Sequence, residues 1–317
     1  MFPLLLGLFA ADLTSLLNQP VTSVMDKAEA GPSGNKHDYV SYAPYWWPDP
    51  SKPDGRPYVR KDGQRNRELI ARGDATRFGA MTDAVEQLAK SKEKAHRENA
   101  ARRIRVWFLD PATAMTPHLE FGQAVPGRNT GRGAGLIDMR RLITITSAAD
   151  QLERTGEFTA ADRAAMQRWV TDYVQWLTTS KIGLEEQKAP NNHGSWYAAQ
   201  LIALHLYLGN REAAKQVGQQ LPARIRRQIT ATGEQPLELT RQDSFSYSVF
   251  NLRALLTAAS LVKPLGVNLL ASVEIDRAIA YLEPYRRGGK RWPHPQLAPI
   301  RPEIWEPLEK LVLRLRQ

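Results

Sequence analysis

The chain contains no cysteine. Disulfides, thiolate metal sites and a cysteine nucleophile are therefore excluded, while the compartment stays open. Histidine is scarce, and the six present (His37, His96, His118, His193, His205 and His294) include no close pair of the H-E-x-x-H kind. No catalytic metal is expected on that ground, and no cofactor. Sustained strand alternation is missing, as are repeats of the TPR or HEAT type. No stretch reads as a membrane span, and no nucleic-acid motif accompanies the basic residues, so direct nucleic-acid binding is not expected.

What the chain does have is 317 residues, 42% of them hydrophobic, enough for one large core or two small ones; a single domain is favoured. A net charge of +10 suits an enzyme that gathers polyanionic sugars. Arg102, Arg103 and Arg105, and again Arg224, Arg226 and Arg227, fall within helical patterns and read as solvated faces. The mostly apolar run Met1–Ala11 reads either as the core of a signal peptide lacking a basic leader, or as the start of a helix (Leu13, Leu16, Leu17) belonging to a longer parent. Residues 1–19 are assigned to that segment and residues 20–317 to the domain.

From residue 74 onward the spacing predicts helices. Apolar residues recur at three and four in Phe78, Met81, Val85, Leu88, then in Leu136, Met139, Leu142, Ile143. Met166, Trp169, Val170, Tyr173, Trp176 and Leu177 follow, after a capping box at Thr159–Asp162. Tyr197, Leu201, Leu204 and Leu208 are stopped by Gly209-Asn210. Leu252, Leu255, Leu256 and Ala259 stop near Pro264, and Ile275, Ala278, Ile279 and Leu282 at Pro284. Ile304, Leu308, Leu311 and Leu315 form a last helix. The expected fold is all-α, built of stacked antiparallel pairs; an α/α toroid is one arrangement that leaves a central cleft.

Two stretches break the helical pattern. Residues 42–58 hold five prolines, one glycine and five aromatics, which forbids a regular helix and stiffens the loop. Tyr45, Trp46 and Trp47 there form a candidate sugar platform, since flat rings stack on pyranose C–H faces; packing onto the body of the protein is the other reading. Residues 123–135 form a cationic turn with four glycines. It lacks the Gly-Lys-Ser/Thr ending of a phosphate loop and is expected to turn Gln123, Arg128 and Arg132 toward a carboxylate or hydroxyl.

The chemically richest stretches are Asn191-Asn192-His193-Gly194 and the pair Arg241 and Tyr247. Amide, imidazole, guanidinium and phenol together suit removal of a weakly acidic proton beside a carboxylate: Arg241 and Asn192 hold the carboxylate, His193 and Tyr247 move protons. A guanidinium close to Tyr247 is expected to lower its pKa and help it act as a base. Glu185, Glu186, Glu238 and Asp243 lie near these segments, and Glu238 is also a candidate for orienting Arg241.

Lys36-His37-Asp38-Tyr39, Tyr45-Trp46-Trp47-Pro48-Asp49-Pro50, Gln123 with Pro126-Gly127 and Gly131-Arg132-Gly133, Asn191-Asn192-His193-Gly194, and Glu238-Leu239 with Arg241 and Tyr247-Ser248 resemble the alginate-lyase superfamily. The nearest branch is that of polysaccharide lyase families 5 and 38, which cleave alginate or glucuronan. The likeness runs from about residue 20 to about residue 285; the chain is shorter at its N-terminus than family members and matches less clearly after Pro284. It implies an α/α toroid with a deep cleft, metal-independent β-elimination on an anionic polysaccharide, and export to the periplasm or beyond; separately, a monomer is expected. It also implies that Asn192 and Arg241 neutralise the substrate carboxylate, that His193 is a base or a charge-stabilising group, and that Tyr247 donates and in some cases accepts the proton. Lys36 and His37 join the substrate-binding residues on the same grounds. An α/α-barrel glycoside hydrolase, which would need two carboxylates flanking the scissile bond, and a non-catalytic uronate-binding protein are the alternatives.

Overall fold

The computed structural model describes residues 13–286 and 290–316, so the Met1–Ala11 run lies outside the described residues. Residues 13–18 are helical (α1). There follow strands Val40–Tyr42 (β1), Trp46–Trp47 (β2) and Val59–Arg60 (β3), helices Arg67–Ala71 (α2), Ala75–Leu88 (α3) and Lys94–Phe108 (α4), and strand Phe121–Ala124 (β4). A 3-10 stretch, Gly133–Arg141, leads into Leu142–Thr155 (α5), Ala160–Thr179 (α6), Lys181–Lys188 (α7), Asn192–Tyr207 (α8) and Arg211–Gln228 (α9). Pro236–Leu239 (α10), Ser244–Val262 (α11), Val273–Leu282 (α12) and Pro302–Arg316 (α13) complete the order. The protein is mostly helical, as the periodicity predicts. Its strands run two to four residues, too short to show alternation in sequence.

The chain forms two compact units. The first comprises residues 13–44 and Arg67–Thr179. Here Phe78, Met81, Val85 and Leu88 are all buried along one face of α3, which packs on α4 and α5. The expected capping box at α6 is present: Thr159 N donates to Asp162 Oδ2 at 2.8 Å and Asp162 N donates to Thr159 Oγ1 at 3.1 Å. β1 pairs in parallel with β4.

One expectation fails in this unit. Of the three arginines read as a solvated face, only Arg102 is exposed. Arg103 is buried and donates to the carbonyls of Leu16, Gln19 and Pro20 at 2.8–3.1 Å, which ties the segment after α1 to α4. Arg105 reaches Asp162 with Nε at 2.9 Å and Nη2 at 2.7 Å. A helical pattern in sequence does not show which neighbour covers a long side chain.

The second unit comprises Tyr45–Asn66 and residues 180–316. Its centre is the pairing of α8 and α11, with α9, α12 and α13 against them. Both central helices are apolar nearly all round, the composition of a helix surrounded by protein. α8 ends before Gly209, whose φ of 77° is left-handed. The segment Ser244–Leu265 has a mean hydropathy of 1.2 over its most apolar window, so one stretch does meet a length-and-composition test for a membrane span, contrary to the sequence reading. With 61% of that window buried inside the fold, it is a core helix.

Candidate active site

Asn191 caps α8: its side-chain oxygen accepts from the His193 N–H at 3.2 Å, which sets Asn192 and His193 in the first helical turn. Gly194 follows because nothing larger fits. A Cβ there would collide with the Ala189 carbonyl and with the Arg224 guanidinium. Arg224 lies across the turn, donating from Nη1 to Ala189 O at 2.6 Å and from Nη2 to Gln187 O at 2.8 Å. Its expected place on a solvated face is therefore wrong, whereas Arg226 and Arg227 are exposed.

A buried amide network fixes the same turn from behind. Gln228 Nε2 donates to Pro190 O and Asn191 O, both at 3.0 Å, while its oxygen accepts from Ser195 Oγ at 3.0 Å and Asn251 Nδ2 at 3.1 Å. Asn251 Nδ2 also donates to Gln235 Oε1 at 2.8 Å, and Gln235 Nε2 donates to Ser248 O at 3.1 Å. The α8 turn and the α11 backbone are thereby tied together through buried polar groups that would be costly to leave unpaired.

Glu238 grips Asn192 twice, accepting from its backbone N–H and from its Nδ2, both at 2.7 Å. Burial raises the Glu238 pKa, against the lowering effects of those hydrogen bonds and of Arg241 and His193 nearby. The carboxylate considered for orienting Arg241 is thus hydrogen-bonded to Asn192. His193 Nδ1 lies 2.6 Å from Glu186 Oε1, and Glu186 is 3% exposed. With a carboxylate as acceptor, Nδ1 carries the hydrogen, and in the neutral ring Nε2 presents its lone pair.

Arg241 is held by Asp62, which accepts from Nε at 3.0 Å and Nη2 at 2.7 Å and also from the Gln242 N–H at 3.0 Å. Burial opposes ionisation of Asp62, yet these donors and Arg60 outweigh it and hold its carboxyl well below the usual range. The fixed fork leaves Nη1 without a hydrogen-bond partner among the described residues. Arg241 Cζ sits 3.6 Å from the centre of the Tyr247 ring and 5.8 Å from that of Tyr45.

Tyr247 corrects another expectation. Its hydroxyl donates to Tyr45 Oη at 2.7 Å, and its pKa is pushed up, first by burial and then by Tyr45, against the lowering effect of Arg241. The guanidinium covers the ring face, so it does not outweigh the loss of water around the hydroxyl. The resting phenol is protonated.

Asn192, His193, Arg241, Tyr247 and Tyr45 all belong to the second unit, as do Trp46 and Trp47. Trp47 Nε1 donates to Gln64 O at 2.9 Å and Lys61 Nζ lies 5.7 Å from its ring; Asn66 Nδ2 donates to Trp46 O at 3.0 Å. The aromatic loop is thus a tied hairpin of β2 and β3, with all three rings half-buried. Lys36, His37, Gln123, Arg128 and Arg132 belong to the first unit. There Lys36 Nζ donates to Met25 O at 3.5 Å and His37 Nδ1 pairs with Ala114 O at 2.7 Å. Arg132 donates to Gln123 O at 3.2 Å and to its Oε1 at 3.1 Å. Gln123 has a φ of 49°, a strained value for a residue with a side chain, and its N–H donates to Ser41 Oγ at 2.8 Å. Arg128 is exposed.

Sequence reasoning did not single out Asp62 or the pairing of Glu186 with His193. Asp62 lies 179 residues from Arg241 and carries no local signal. Glu186 is seven residues before His193, across a helix boundary, where no periodicity relates them.

A family profile described as alginate lyase matches residues 23–292. The crystal structure of an alginate lyase from Bacteroides ovatus superposes with a TM-score of 0.91 at 39% sequence identity, covering 97% of this chain and 84% of that one. A search among curated proteins finds no match. A mostly helical chain with this likeness and this site is a polysaccharide lyase. It belongs to the alginate lyase family.

Proposed function

We propose that the protein cleaves a 4-linked uronate polymer, alginate or glucuronan, by β-elimination without a metal ion. The observation that carries this reading is the Arg241–Tyr247–Tyr45 cluster, with one guanidinium nitrogen left over and a protonated phenol beside it. The C5 proton of a uronate lies alpha to an ionised carboxylate, so its removal builds a second negative charge. Arg241 Nη1 and the second Nδ2 hydrogen of Asn192 are the donors offered to that carboxylate. One such preorganised donor contributes roughly 3–4 kcal/mol to lowering the barrier.

His193, oriented by Glu186, takes the C5 proton at Nε2, and Tyr247 donates its proton to the departing O4. That division serves guluronate, whose C5 hydrogen and C4 oxygen lie on opposite faces. In mannuronate and glucuronate they share a face; there Tyr247 first gives up its own proton to solvent, and the phenolate, supported by Tyr45 and by the Arg241 charge, takes the C5 proton and passes it to O4. Either course leaves a C4–C5 double bond conjugated with the carboxylate.

The four carboxylates near the candidate segments argue against a hydrolase: Glu186 is taken by His193, Glu238 by Asn192 and Asp243 by the backbone of Ala298, and Glu185 is exposed, so these four leave no pair to flank a bond. We further infer that Gln123, Arg128, Arg132, Lys36 and His37 meet flanking sugars. We also infer that Tyr45, Trp46 and Trp47 stack on them, that the helices form the α/α toroid the family likeness implies, and that the protein acts as a monomer outside the cytoplasm, where such polymers lie. A panel of polymannuronate, polyguluronate and glucuronan, followed by ultraviolet absorbance of the unsaturated product with and without chelator, tests the reaction. New reducing ends without that absorbance would point to hydrolysis, and loss of activity with chelator that added metal restores would remove the metal-free mechanism.

A further inference from the structure

Arg241 and Tyr247 flank the start of α11, and that start is not capped by its own residues. Asp243, at the N-cap, makes no side-chain bond to the first turn. The first N–H groups of a helix have no intrahelical acceptors and must find others. Here they come from the segment Trp292–Ala298, about fifty residues further on. Ser244 N donates to Pro295 O at 3.1 Å and Phe245 N to Gln296 Oε1 at 3.0 Å. Ser244 Oγ donates to Pro295 O at 2.6 Å and accepts from Trp292 Nε1 at 2.7 Å. In return Asp243 Oδ1 accepts from Ala298 N at 2.8 Å, and Gln242 O accepts from Leu297 N at 2.8 Å.

The same segment also touches the support of Arg241. Gly63 has a φ of 77°, and a Cβ there would stand 2.7 Å from Leu297 Cδ1 and 3.0 Å from Gln242 Cβ. Gly63 adjoins Asp62, which fixes the guanidinium. Trp292 itself is 8% exposed and lies edge-on to Phe245 with ring centres 5.4 Å apart. Segments 241–245 and 292–298 are thus interlocked by backbone and side-chain hydrogen bonds, while segment 62–63 is joined to the first through the Asp62 carboxylate and packs on Leu297 through Gly63. The family match ends at residue 292, so all of this strap beyond Trp292 lies outside it.

We propose that the strap Trp292–Ala298 is a positioning element for elimination, with Gln296 and the Leu297 N–H holding the turn that sets Arg241 against Tyr247. The inference rests on the roles proposed for Arg241 and Tyr247. Gln296→Ala removes the acceptor for Phe245 N, and Leu297→Pro removes the donor to Gln242 O. Both are read as kcat and KM for the uronate polymer, with melting temperature measured alongside. Misplacing reacting groups by about an ångström can cost about a hundredfold. The expected result is therefore a fall of at least about tenfold in kcat for both variants, with KM within about twofold, at temperatures well below melting. Leu308→Ala, at a buried position of α13 outside the strap, supplies a variant of lowered stability for comparison and is expected to keep its turnover. Wild-type kcat in both folded strap variants, or an equal fall in Leu308→Ala, overturns the inference. Tyr247→Phe and Arg241→Lys separate the two levels. If these keep turnover, the underlying roles have failed; if they lose it while the strap variants do not, the strap alone has.

Discussion

Tyr247 shows how much one side chain's surroundings decide. Proximity to a guanidinium predicts an acidic phenol, yet Arg241 lies over the ring and burial around the hydroxyl dominates. A protonated Tyr247 suits proton donation, and Tyr247→Phe keeps the ring that Arg241 covers while deleting the proton. Turnover is expected to fall by at least about a hundredfold with KM little changed, whereas loss of a merely positioning hydrogen bond would cost about tenfold. Steady-state kinetics on the preferred polymer distinguish the two. Arg241→Lys is expected to fail as badly, because one ammonium cannot hold Asp62 in a fork and still present a second nitrogen. Glu238→Gln should also lower turnover, since the new amide turns an N–H toward a donor of Asn192; a Glu238→Gln enzyme with unchanged kcat would show that Asn192 needs no orientation.

At the scale of elements, the site depends on how α8 begins. Asn191 supplies the cap, Gly194 the clearance and Arg224 the clamp on Gln187 and Ala189. Gly194→Ala introduces one methyl group into backbone and guanidinium that cannot both move aside. Overpacking of this kind costs about 1–3 kcal/mol, and denaturant unfolding is expected to show it, accompanied by reduced kcat as His193 and Asn192 shift. The cap and the glycine were legible as N-N-H-G before a helix. Arg224 was not: it lies thirty residues downstream in another helix, and only packing brings it across the turn.

Across the whole molecule, charge sets two expectations. With a net charge of +10 and a polyanionic substrate, encounter is helped by long-range attraction, which salt screens over about 8 Å at physiological ionic strength. KM should rise with added sodium chloride while kcat changes little. Acid stability follows from the carboxylates. Asp162 is held down to about 2, chiefly by Arg105, and Asp62 is also depressed; such groups stabilise the fold above the unfolded carboxylate value of about 3.9. That stabilisation is lost as pH falls from about 4 toward 2. Glu238, raised by burial, has the opposite sign, favouring the fold at lower pH and losing that contribution as pH rises through its folded pKa. Melting temperature should therefore drop on acidification below about pH 4, and Arg105→Ala should flatten the part of that drop due to Asp162.

The sequence by itself determined the helical character, since 3.6-residue periodicity is a local property of the chain, and it pointed to Asn192, His193, Arg241 and Tyr247 through residue types able to bind a carboxylate and move protons. It also carried the family likeness in short contiguous motifs. Tertiary structure alone decided what those residues are bonded to. Asp62 holds Arg241 and Glu186 holds His193, Glu238 is committed to Asn192, and Gln296 caps the helix of Tyr247 from the far end of the chain. It also decided that Tyr247 rests protonated, because the pKa of a phenol depends on the water removed from it and on the side from which a cation approaches, and neither is written in the order of residues.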